Sequence, residues 1–182
     1  MFNLTTCAEM LQDSPHRLAL LNAWLGWRGD DPVPTTDTVR AEDLGATIGY
    51  VSVIEVLSPD RAIFRLVGEW YDRVTDQKLV GENFIDMVAD EHRPARGKRV
   101  WNIVSVPCGI FANVDVSRPS GRKVEIRGLM LPVRPTLPEE QMRAYLAVDV
   151  VFGTSVAGYD SVKYLEVPWK SDYIDIGFGG PV

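Results

Sequence analysis

The residues of this 182-residue chain best equipped for chemistry gather at positions 92 to 99, which read HRPARGKR. Four cations, Arg93, Arg96, Lys98 and Arg99, fall within seven residues. On a helix, residues three apart are neighbours, so Arg96 and Arg99 form a candidate anion site that could hold a phosphate or carboxylate between two guanidinium groups. The competing reading is a solvated helix face. A cyclic-dinucleotide site of the RxxxR and DxSxxG type fails on spacing. Arg96 and Arg99 are three apart, and after Asp115-Val116-Ser117 the glycine, Gly121, comes one residue late.

Catalysis needs a nucleophile, acid or base held beside a partner. No nucleophile elbow, HExxH, Walker A or GxGxxG pattern can be read, so no catalytic residue is expected. Were the chain a small α+β cavity enzyme, Asp115 with Tyr145 is the pair to test. The two histidines, His16 and His92, have no second ligand at metal spacing, and no metal site is expected. Cys7 and Cys108 are far apart and lack a CxxC context. They read as free thiols of a reducing compartment, with a disulfide or redox switch as the alternative.

Composition narrows the classes further. Hydrophobic content of 46% and charged content of 24% are those of a globule able to bury a core. A net charge of -6 argues against general affinity for nucleic acid or an anionic membrane, because neutralising phosphates takes clustered Lys and Arg. The first twelve residues carry no positive n-region, and no apolar run is long enough to span a bilayer, so a cytoplasmic protein is expected.

The elements that must position these groups can be read in order. Residues 15 to 28 predict a helix capped by Ser14, with Pro15 in its first turn, a stripe of Leu18, Leu21, Trp24 and Leu25, and Gly29 as its stop. Residues 30 to 38 read as a loop, and 41 to 44 as a helical turn. Residues 50 to 57 and 62 to 67 predict a hairpin joined by Ser58-Pro59-Asp60, with Phe64 and Leu66 alternating with Arg65. A short helix from Glu69, with Trp70 and Val74 four apart, ends at Gly81. Residues 83 to 89 predict a short helix burying Phe84, Met87 and Val88, and Asp90 opens a longer one to about Val104. Three further strands are expected at 110 to 117, 123 to 133 and 144 to 152, where Ala112, Val114, Leu146 and Val148 alternate with Asn113, Asp115, Ala147 and Asp149. The tail from Gly153 carries Tyr159, Tyr164, Trp169, Tyr173 and Phe178 without helical periodicity. It reads as docking on its own domain or on a partner.

Three short stretches in this order carry a resemblance: Phe64-Arg65-Leu66-Val67-Gly68, Leu79-Val80-Gly81-Glu82-Asn83-Phe84 and Leu131-Pro132-Val133, preceded by the Trp-containing helix and Asp43-Leu44. The chain resembles the PAS-like family of small bacterial, mainly alphaproteobacterial, proteins over roughly residues 15 to 153. It departs at Glu69-Trp70, where that family more usually has a small residue, which implies a reshaped pocket.

The resemblance implies an α+β fold: a five-stranded antiparallel sheet with helices packed on one face and the N-terminal helix on or near the other. It divides the chain into an N-terminal helix and linker (1 to 39), a PAS-like domain (40 to 153) and a C-terminal tail (154 to 182). It implies a non-catalytic sensory or regulatory module that binds a small ligand or a signalling partner, works as a homodimer, and contacts neither nucleic acid nor membrane. A purely structural adaptor is the alternative. The expected pocket lining is Ile54, Phe64, Leu66, Phe84, Met87, Trp101 and Val148, all of which are equally at home in a plain core. The cofactor is left open. His92 stands where haem-binding members of the superfamily carry a histidine. Gly81-Glu82-Asn83-Phe84 keeps the asparagine but lacks the cysteine of the light-sensing flavin branch.

Overall fold

The computed structural model describes residues 2–71, 77–117, 123–152 and 170–181, apart from the side chains of 115–117, 123, 124, 151, 152 and 170. Strand β1 (Phe2–Asn3) leads into α1 (Leu4–Met10) and α2 (Pro15–Arg28). A 3-10 segment (Ala41–Tyr50), broken at Gly45 with φ 51°, turns the chain into the hairpin β2 (Val51–Ser58) and β3 (Arg61–Leu66). Two 3-10 turns (Phe84–Met87 and Asp90–His92) precede α3 (Arg93–Ser105), and strands β4 (Cys108–Ser117), β5 (Lys123–Val133), β6 (Arg143–Phe152) and β7 (Lys170–Asp175) complete the chain. The helix expected from Asp90 thus splits. Pro94 sits in the first turn of α3, where its missing N–H costs nothing.

Among the described residues the sheet has seven strands, not five, in the order β1-β7-β4-β5-β6-β2-β3. All pairs are antiparallel except β1 with β7. The extra strands come from the two ends of the chain. In β7 the sequence Lys-Ser-Asp-Tyr-Ile-Asp disguises a strand, because its polar residues outnumber the Tyr173 and Ile174 that pack to either side. The aromatic tail residues Tyr159, Tyr164 and Trp169, and the expected helical contact of Val74, lie outside the described residues.

Side chains alternate along a strand, and both faces of this sheet are covered. Ile110, Met130 and Leu146 point to an inner layer beneath α3, while their neighbours Phe111, Leu129 and Ala147 point to an outer layer beneath α1 and α2. The leading helix is therefore a cover for its own sheet. Its buried stripe is Arg17, Leu20, Leu21, Trp24 and Trp27, rotated from the expected one so that Leu18 and Leu25 lie at the margin. The Trp24 indole donates to the Pro132 carbonyl at 2.7 Å, and the Trp27 indole to Asp43 at 2.8 Å.

The rotation follows from a polar anchor. Asp149, on β6, accepts hydrogen bonds from the backbone N–H groups of His16 (3.1 Å) and Arg17 (3.2 Å), and from Arg17 Nε at 3.1 Å. A carboxylate from the sheet therefore caps the N-terminus of α2, where helix amides lack partners and the dipole favours a negative charge. Both free thiols are buried; desolvation pushes Cys7 and Cys108 up to about 12, which keeps them protonated at neutral pH.

On the inner face α3 approaches the β2–β3 turn so closely that a Cβ on Gly97 would stand 1.8 Å from the Pro59 carbonyl oxygen. Only glycine fits there. Gly97→Ala is expected to cost about 2–3 kcal/mol by overpacking, read as a lower urea midpoint, although alanine is the better helix former by about 1 kcal/mol. A stabilised variant would contradict the contact. Asp149→Ala is expected to cost about 3–5 kcal/mol by stranding buried Arg17, and adding Arg17→Met should restore part of that loss. Additive losses in the double variant would rule out the coupling.

Candidate functional site

Between α3 and the inner face of the sheet lies a cavity of about 80 Å³. Its floor is β4 (Ile110, Ala112, Val114), β5 (Ile126, Gly128, Met130) and β6 (Leu146, Val148), and its rim is Tyr71, Phe84, Arg96, Arg99 and Val100. Strand alternation supplies the floor, since every second residue of three adjacent strands faces the same way. Gly128 keeps the centre of the floor low: a Cβ there would come 3.3 Å from the Leu146 side chain. No carboxylate lines the cavity among the described residues.

Arg96 is the unusual member of this lining. It is 6% exposed, donates from Nε to the Phe84 carbonyl at 3.0 Å, and lays its guanidinium 3.8 Å above the centre of the Phe84 ring. Its Nη2 is buried with no hydrogen-bond partner among the described residues. Desolvation lowers its pKa to about 10; the proximity of Tyr71 opposes the shift and that of Arg99 adds to it. The folded value lies below the ordinary 12.5, so burying this cation costs stability below pH 10, and the cost fades as pH rises from there toward 12.5. Burial in turn pushes the Tyr71 phenol up, so it stays protonated at neutral pH. The site holds a buried cation at one end and an apolar wall at the other.

The cationic run is divided by the helix. Arg93 turns outward to Asp86 (3.2 Å) and Asp90 (3.0 Å), and Lys98 lines an outer groove, whereas Arg96 and Arg99 line the cavity. Of the apolar residues expected in the lining, Phe84 and Val148 border the cavity. Ile54 and Phe64 are fully buried in the same inner core without bordering it, and Met87 packs half-buried against that core. Trp101 also touches the core but lines the outer groove, beside Pro59, Asp60 and Lys98. Leu66 is 44% exposed, because a bulge at Arg65 pairs it with Val53 of the outer layer and turns it away from the inner face that Phe64 shares. His92 stands outside the lining with a largely exposed ring 3.9 Å from Glu91, and Tyr145 lies in the outer layer, 5.6 Å from the Trp27 ring. Tyr145 is therefore outside the cavity, and the side chain of Asp115, its expected partner, lies outside the described residues.

Sequence reasoning missed Tyr71, Val100, Ile110, Ala112, Val114, Ile126, Gly128, Met130 and Leu146 as lining. The alternation of Ala112 and Val114 with Asn113 and Asp115 was the available signal. It also missed Asn83, which staples the segment before Phe84 to the hairpin. Its Oδ1 accepts from Ala62 N (2.9 Å) and Ile85 N (3.3 Å), and its Nδ2 donates to the Asp60 carbonyl at 3.0 Å. Backbone bonds from Phe64 N to Glu82 O and from Gly81 N to Phe64 O complete the attachment. Gly81, at φ 91°, makes that turn in a conformation other residues resist.

Comparison with known proteins adds a family to this geometry. A family profile described as PAS domain matches residues 12–145. No curated protein matches the chain.

Because Asn83 satisfies two backbone donors and one acceptor, Asn83→Ala is expected to lower stability by about 2 kcal/mol, and Asn83→Asp, which keeps the acceptor, by less. Chemical denaturation monitored by tryptophan fluorescence reads both; equal losses would leave the acceptor without a role.

Proposed function

Since the chain belongs to the PAS domain family, whose general role is sensory and regulatory, we propose that it is a non-catalytic ligand-binding module of bacterial signalling. In this reading the cavity beneath α3 takes a small molecule, and its occupancy is passed to a second copy of the chain or to a signalling protein. One observation carries the ligand reading. The inner core keeps about 80 Å³ open against a buried guanidinium whose Nη2 has no hydrogen-bond partner among the described residues. Such a space is costly to leave empty and favourable to fill.

Supporting the output is the region where β3 meets the segment before Phe84. Leu66 and Val80 are 44% and 63% exposed there, apolar side chains that a second chain could cover, while the outer edge of β3 is already taken by Gly81, Glu82 and Asn83. Two buried free thiols suit the reducing cytoplasm as its setting.

Native mass spectrometry of the purified protein, with an absorption spectrum and light scattering, tests the proposal. A reproducible small added mass on a dimer is expected, with the added mass lost in Ala112→Val, which narrows the cavity. An unliganded monomer that captures no partner, together with an Ala112→Val variant that melts higher and is otherwise unchanged, would reduce the space to a packing defect.

A further inference from the structure

The chemistry of the cavity restricts what it can hold. Two cations reach it, Arg96 and Arg99, and no carboxylate does among the described residues. Arg96 is fixed before any ligand arrives, with Nε on the Phe84 carbonyl and the guanidinium plane over the Phe84 ring. Its Nη2 remains buried without a hydrogen-bond partner among the described residues, a state that proteins rarely leave uncompensated. Opposite this end the wall is purely apolar, formed by residues such as Val114, Ile126, Met130, Leu146 and Val148. A second charge on the ligand would be desolvated against that wall. Size sets the remaining limit. The open space of about 80 Å³ has room for several water molecules, the scale of a small organic ligand.

We infer that the ligand is a short-chain organic acid bearing a single carboxylate, its head held by Arg96 with Arg99 at the rim, and its apolar tail lying on the β4–β6 floor. This rests on the reading of the cavity as a ligand site. The carboxylate supplies the counter-charge that Arg96 lacks among the described lining residues and relieves the repulsion between the two arginines. The planar guanidinium, already immobilised on Phe84, loses little freedom on binding.

Sodium butyrate, uncharged butyramide and sodium chloride at matched ionic strength, titrated calorimetrically into the full chain, form the test. The expected result is saturable butyrate binding, with butyramide about ten-fold or more weaker, as befits a charge-assisted hydrogen bond. Chloride should not compete. Arg96→Met should abolish the preference for butyrate over butyramide, and Arg96→Lys should retain part of it; circular dichroism confirms that each variant is folded. If Arg96→Met does not fold, the comparison of the two probes on the unaltered chain still decides. Equal binding of butyrate and butyramide would overturn the carboxylate assignment and leave the cavity as a site for neutral ligands. Chloride displacing butyrate would remove the role of the tail. Binding of neither organic probe would overturn the inference, while the native mass measurement judges the cavity itself separately.

Discussion

The seating of α3 on the β2–β3 turn governs the inner half of the molecule. Because Gly97 lets the helix backbone come against the Pro59 carbonyl, the residue beside it has nowhere to go but inward. Arg96 is thereby carried beneath the surface, over the Phe84 ring, even though a free guanidinium favours water by a wide margin. A steric fact about a glycine thus creates an electrostatic one. It also fixes which face of the cationic run turns in, since a helix seated at position 97 must send Arg93 and Lys98 the other way.

The outer half supplies the rigid backing. Asp149 holds the N-terminus of α2, the Trp24 indole holds its middle to β5, and the Trp27 indole ties its end to the 3-10 segment. Each bond is made to a partner more than ten residues away in sequence, so α2 is fixed to the sheet in both register and rotation. With one face clamped by hydrogen bonds, the other is held differently. There, α3 and the turn at Phe84 are joined to the floor mainly by apolar contact.

Much of this was legible in the sequence, and the misses have physical causes. Helix α2 announces itself through Ser14-Pro15 at one end and Gly29 at the other, yet its phase was misjudged because a hydropathy reading keeps Arg17 outside. Strands β4, β5 and β6 show their alternation, but the same pattern labels Asp149 as solvent-facing when it is a buried cap. The spacing of Arg96 and Arg99 made them neighbours. That this pair faces inward depends on Gly97, which in a sequence reads only as a weak helix former. Leu66 shares the parity of Phe64 and still lies exposed, since periodicity does not show the bulge that shifts the register between them. Strand β7 was invisible, because a segment with few apolar residues gains its order from pairing with β4 and β1 and not from its own composition.

That late strand has a consequence for how the molecule comes together. In the sheet β7 lies between β4 and β1, so the first strand of the chain pairs with nothing until nearly the last residues have been made. During synthesis α1, with Cys7 and Leu11 on its apolar side, must wait beside a half-built outer layer for Ile174 and Ile176 to arrive. Closing so long a loop is entropically slow, and the waiting surface is one that chaperones recognise. Strand β1 thus finds its place only once β7 has been laid against β4.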